Sequence, residues 1–99
     1  MIPGATPTHT FHLPIDTDDI VAMRITYEEN GKTVLTKELK DCVLGEKKCV
    51  IRLSQDDTLK FGSNSNVRIQ FKCRTKNDDV IISQIIKKPT AVVLDKEVI

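Results

Sequence analysis

The chain has 99 residues, with 15 basic and 14 acidic side chains and a formal net charge of +1. A charge balance this close to neutral provides no overall field that would draw the protein to nucleic acid or to an acidic membrane surface. Three Phe, one Tyr and no Trp are also too few for the aromatic platforms on which many proteins stack sugars or single-stranded bases.

The start of the sequence predicts an irregular lead-in followed by a strand. Residues 1–7 contain two prolines and a glycine, which disfavour regular structure. From Thr8 to the residue before Pro14, polar and apolar residues alternate, which is typical of a strand with one buried side. The core-facing side chains predicted for this strand are His9, Phe11 and Leu13.

The next segment predicts a β-hairpin around Asn30-Gly31. This dipeptide favours a type I′ turn, because both central positions of such a turn need positive φ. A two-residue turn here sets Tyr27 opposite Val34 on the buried face. The inward side chains predicted for the first strand of the hairpin are Val21, Met23, Ile25 and Tyr27.

A second hairpin is predicted in DCVLGEKKCVIRLS, with its turn at Gly45-Glu46 and with Cys49, Ile51 and Leu53 inward. This turn makes Cys42 face Cys49 at about 5.5 Å between Cα atoms, which is within disulfide range. The odd count of three cysteines instead favours buried, reduced thiols. The sequence leaves open whether the two form a disulfide.

The rest of the chain predicts one helical turn and two further strands. SQDDTLKF begins with Ser54 three residues before an Asp, the pattern of a helix N-cap, and GSNSN is expected to be a loop. After a turn at Asn77-Asp78, VIISQIIKKPT is predicted to form one strand that stops before Pro89, and residues 90–99 an edge strand or a tail. VRIQFKCRT alternates strictly, so its predicted inward residues are Val67, Ile69, Phe71 and Cys73.

Six or seven short strands with turn signals about every ten residues predict one all-β domain over residues 1–99. The expected architecture is an antiparallel, immunoglobulin-like β-sandwich. A small closed β-barrel is the alternative, because the same pattern satisfies it. No apolar run is long enough for a membrane helix and no signal peptide is recognisable, so we expect a cytoplasmic protein with no membrane partner.

No combination of residues predicts an active site, a metal site or a cofactor. His9 and His12 are three apart on a strand, so they point to opposite faces. The stretch that contains Asp16 and Asp18 begins like a calcium loop but lacks the glycine and the distal glutamate. We therefore expect the protein not to be an enzyme, with no catalytic residues and no metal ligands.

The sequence does predict an interaction face. Its members are the outward basic residues of VRIQFKCRT and two isoleucines of the following strand, namely Arg68, Lys72, Arg74, Ile81 and Ile85. A turn at Asn77-Asp78 makes Arg74 face Ile81, and places Gln84 on the core side. Apolar side chains beside basic stems on an outward face indicate that another chain, or the tail of this chain, covers them. A bulge near Ser83-Gln84 is the alternative, since it changes the phase of the strand.

Several segments together resemble a group of proteins of about this length encoded in phage and prophage regions of Gram-positive bacteria. The segments are MIPGATPTHTFHLP, ITYEENGKTVLTK, LSQDDTLKF, VRIQFK and LDKEVI. The resemblance implies a virion structural setting, in the host cytoplasm or on the particle. We expect a structural or adaptor domain that binds copies of itself or another phage protein. The alternative is a ligand-binding module, for a glycan or for nucleic acid, that uses the basic residues.

Overall fold

The fold is an all-β sandwich, seen in a computed structural model that describes residues 1–62, 65–89, 94 and 98. One short helix, α1 (Gln55–Leu59), and two 3-10 turns, Thr17–Asp19 and Leu39–Asp41, connect the strands. The eight strands are β1 (Thr8–His12), β2 (Ile20–Glu29), β3 (Lys32–Glu38), β4 (Val43–Gly45), β5 (Lys48–Arg52), β6 (Asn66–Thr75), β7 (Val80–Ile82) and β8 (Ile86–Pro89). Part of the predicted GSNSN loop and most of the predicted tail over residues 90–99 lie outside the described residues.

The strands form two open antiparallel sheets. One sheet has the order β1-β5-β4, and the other has β3-β2-β6 with β7 and β8 both on the far edge of β6. When the strands are matched to those of an immunoglobulin domain in chain order, the two sheets correspond to its B-E-D and C′-C-F-G sheets. The predicted sandwich is confirmed, and the described strands do not close into the alternative barrel.

The core lies between the sheets and follows the predicted alternation. Every second residue of β6, from Val67 to Thr75, is buried. Ile51 and Leu53 contribute from the opposite sheet and its connection to α1. Burying such side chains stabilises the fold by about 1.5 to 3 kcal/mol each.

Two predicted registers are wrong in β2 and its hairpin, and β-bulges explain both. Val21, predicted inward, is 51% exposed because the pairing of β2 with β6 shifts between Ile20 and Ala22. Tyr27 faces Leu35 rather than Val34, because a second shift follows Tyr27 in the pairing with β3. The Asn30-Gly31 turn itself is confirmed by the positive φ of both residues, 53° and 79°.

The turn of the second hairpin lies one residue later than predicted. Gly45 pairs with Lys48, so the turn residues are Glu46 and Lys47, and Lys47 takes the positive φ of 49°. Cys49 consequently faces Leu44 rather than Cys42. All three cysteines are free. Burial, helped by the neighbouring Cys42 thiol, raises the pKa of Cys49 to about 12.

The predicted helical turn is confirmed, and it joins several parts of the fold. The Ser54 hydroxyl accepts the Asp57 N–H at 3.1 Å, and the Asp57 carboxylate accepts the Ser54 N–H at 3.1 Å. The same carboxylate forms an ion pair with Lys37 of β3 at 2.9 Å. Burial opposes ionisation of Asp57, but the Lys37 ammonium and the Ser54 N–H outweigh it and lower the pKa.

A partly buried hydrogen bond joins the two sheets. The Tyr27 hydroxyl of β2 lies 2.8 Å from His9 Nδ1 of β1, and the two rings stack with centroids 5.8 Å apart. Tyr27 occupies the strand on which antibody domains carry their buried Trp. Burial, helped by the nearby Cys42 thiol, raises the pKa of Tyr27 above its usual value near 10.

We expect Tyr27→Phe to lower the free energy of unfolding by about 1 kcal/mol, because it removes the bond between the sheets and little packing. Since the folded-state pKa of Tyr27 is raised, its contribution is complete below about pH 10 and is lost as the pH rises, because only the unfolded chain ionises. The difference between wild type and Tyr27→Phe should therefore shrink between about pH 10 and about pH 11 in urea unfolding. A difference that stays constant over this range would contradict the buried hydroxyl.

Candidate functional site

The segment that was predicted to be the last full strand is two strands separated by a break. Thr75 N–H donates to Asp79 O at 2.9 Å, so the preceding turn has three residues, and its Asp78 has a φ of 67°. Ile81 therefore pairs with Cys73 and packs against the core. The prediction that Ile81 faces outward is wrong, because the extra turn residue shifts the strand by one position.

Ser83 holds the break between β7 and β8 against β6. Its N–H donates to Phe71 O at 2.8 Å, and its hydroxyl accepts the Phe71 N–H at 2.9 Å. Residues 83–85 oppose residues 70–71, since Lys72 pairs with Ile82 and Ile69 with Ile86. This extra residue is the bulge considered from the sequence as an alternative. Gln84 is exposed rather than on the predicted core side, and Ile85 is exposed but lies in the break, not in a strand.

We expect Ser83→Ala to lower the free energy of unfolding by about 1 to 2 kcal/mol, because the Phe71 N–H loses its acceptor. Gln84→Ala is the matched control, since only the backbone oxygen of Gln84 bonds to Ser83. Urea unfolding of both variants measures the effect. Equal free energies of unfolding for the Ser83→Ala and Gln84→Ala variants would show that the Ser83 hydroxyl does not replace a backbone acceptor at the bulge.

The predicted basic residues all point outward, but they differ in their partners, since two of them form ion pairs and one does not. Arg68 pairs with Glu28 at 2.9 Å, and Arg74 pairs with Asp78 at 2.6 Å. Lys72 forms no ion pair within the described part of the chain, and it sits directly opposite Arg24 of β2. Like charges facing each other across strands destabilise a sheet. On its other side Arg24 faces Glu38 of β3, so one carboxylate offsets part of this repulsion.

Arg24 and Lys72 border an open depression of about 740 Å³ on the outer side of the five-stranded sheet. Arg74 and Lys40 also line it, so four cations surround the depression with one carboxylate, Glu38. Glu38 lies directly opposite Arg24 and Asp78 pairs with Arg74, so these carboxylates offset part of the charge and a net positive charge remains. The depression is therefore positively charged.

Apolar side chains adjoin the depression along β7. Val80 faces the same way as Arg74, and Ile82 the same way as Lys72. These two apolar side chains are 45% and 56% exposed. We define the interaction face by five residues, Arg24, Lys72, Arg74, Val80 and Ile82.

Three of these five residues were missed from the sequence. Arg24 requires knowledge that β2 pairs with β6 across an intervening hairpin, which strand patterns do not reveal. Val80 and Ile82 depend on the phase of β7, where three apolar residues in a row hide the alternation. Of the predicted members, Ile81 drops out because it packs against the core. Arg68 and Ile85 drop out because they neither line the depression nor belong to β7.

Among the described residues, no group of three or more His, Cys, Asp or Glu side chains could hold a metal ion. No helix among those residues is long and apolar enough to cross a membrane.

Comparison with known proteins leaves the family open. No protein-family model, curated protein or solved structure matches this chain. The resemblance to phage proteins therefore stays a prediction.

Proposed function

We propose that the protein is a non-enzymatic structural or adaptor domain of a phage or prophage that binds another particle protein through the interaction face. The main support for this proposal is that Val80 and Ile82 are roughly half exposed. They lie on an outward sheet face beside Lys72 and Arg74. The phage setting comes from the sequence resemblance alone.

Burial of the apolar side chains would supply the binding energy. Covering the exposed parts of Val80 and Ile82 is favourable by about 1 kcal/mol each, about half the value for a fully exposed side chain. The aliphatic stems of the neighbouring Lys72 and Arg74 extend this apolar surface, while their charged ends border it. An apolar centre with a charged rim is the ordinary anatomy of a protein interface.

The unpaired cations of the interaction face indicate which charges the partner's contact surface would carry. Lys72 and Arg24 have no ion-pair partner in the described residues, so a complementary surface would carry carboxylates. Such a partner would also relieve the repulsion between the two facing cations. We therefore infer a protein partner whose contact surface is apolar at its centre and acidic at its edge.

We expect Ile82→Lys to weaken binding to purified particles of the encoding phage by about tenfold or more, which corresponds to a loss of at least about 1.4 kcal/mol. Val43→Lys is the matched control, because Val43 is also apolar and exposed but lies in β4 of the other sheet. Sedimentation of labelled protein with particles measures both. Absence of wild-type binding, or an equal loss in both variants, would contradict the proposal.

A second candidate function is binding of a phosphate-bearing ligand in the depression, favoured by the facing pair Arg24 and Lys72. It predicts that the affinity for a short DNA duplex falls steeply with salt. The logarithm of the association constant should fall with the logarithm of the salt concentration, with a slope of about 0.9 per phosphate contacted. Lys72→Gln should reduce that slope, whereas Lys32→Gln at the hairpin end should leave it unchanged. Fluorescence anisotropy at two salt concentrations distinguishes this candidate from a protein partner, and no binding at low salt would remove it.

A further inference from the structure

The outer edge of β1 lacks a neighbouring strand in the described part of the chain. β1 is the outermost strand of the three-stranded sheet, on the side where immunoglobulin domains carry strand A. The lead-in does not take that place, because Gly4 N–H bonds to the Thr58 hydroxyl of α1 at 2.9 Å. Pro7 O accepts Leu53 N–H at 3.0 Å, on the inner edge. Among the residues that the structure describes, the outer edge of β1 is therefore unpaired.

Two backbone hydrogen bonds establish which groups point out from this edge. Leu13 N–H donates to Lys47 O at 2.8 Å at one end, and Leu53 N–H donates to Pro7 O at the other. Both bonds belong to the β1–β5 register, so the odd-numbered residues of β1 form the hydrogen-bonded pairs. The N–H and C=O groups of the even-numbered residues point away from β5. These residues are Thr8, Thr10 and His12.

The open edge of β1 lacks the protections that other edges carry. β3 and β8 contain lysines, and β4 and β7 are only three residues long. Lysine side chains and short length both discourage further strand pairing. β1 has five residues, THTFH, without Lys, Arg, Asp or Glu. Pro7 and Pro14 lie just outside it and would confine any added strand to this short segment.

We infer that this edge pairs with β1 of a second copy of the chain. The three outward-pointing residues are symmetric about Thr10, so an antiparallel copy with Thr10 on the two-fold axis pairs all of them. Thr8 then faces His12 of the copy, and about six backbone hydrogen bonds form. One surface serves both copies, so the assembly closes as a dimer with a continuous six-stranded sheet. The interaction face lies on the other sheet and stays free.

Light scattering over a range of protein concentrations tests this inference, because it measures the mass of the assembly. The full wild-type chain is compared with variants at Thr10, the centre of the edge. Wild type should form a dimer, whereas Thr10→Lys and Thr10→Pro should raise its dissociation constant by about tenfold or more. Both should keep the wild-type monomer fold, since the Thr10 N–H points away from β5. Thr36→Lys, also an exposed strand threonine but on β3, is the matched control and should still dimerise.

Amide hydrogen exchange gives a second measurement that needs no variant. The Thr10 amide should exchange fast in dilute protein and slowly at concentrations where the dimer forms. A wild-type monomer at every concentration would overturn the inference. So would a dimer that Ile82→Lys disrupts and Thr10→Lys does not, since that result assigns self-association to the interaction face. Slow exchange of the Thr10 amide in a monomer would also overturn it, because a segment of the same chain would then cover the edge.

Discussion

The pairing of β2 with β6 is the interaction on which the rest of the structure depends. These two ten-residue strands lie at the centre of the larger sheet, and their register runs from Ile20–Thr75 to Glu29–Val67. The inner side of this pair supplies much of the core. Its outer side places Arg24 opposite Lys72 and so creates the charged depression. One register therefore determines both how the protein is stabilised and what it presents to a partner.

The sequence predicted those parts of the fold in which alternation is unbroken. β6 is the clearest case, because each of its predicted inward residues is buried. Prediction was wrong where a strand contains an extra residue, as at Val21, or where a turn is one residue longer than expected, as before Val80. A pattern of period two cannot detect such an insertion when apolar residues occupy adjacent positions. For this reason the outward face predicted for Ile81 belongs instead to its neighbour Ile82.

Prediction of the candidate site was limited by the same hidden insertions and also by strand pairing, which the sequence pattern does not reveal. Lys72 and Arg74 were found because they belong to a strand with a strict pattern, whereas Arg24 became visible only through pairing between strands distant in sequence. The two proposed binding surfaces, the interaction face and the β1 edge, lie on different sheets. A sandwich organised in this way can pair with a copy of itself through one sheet while the other sheet contacts a different protein.

The interaction face depends on the three-residue turn before β7, because this turn leaves Ile82 outward and Ile81 inward. Solvent paramagnetic relaxation of the isoleucine methyl groups, measured by NMR on the wild-type protein, tests this most directly. The structure predicts strong relaxation of the Ile82 and Ile85 methyls and weak relaxation of the Ile81 methyl. Stronger relaxation at Ile81 than at Ile82 would contradict the register of β7, and with it the interaction face.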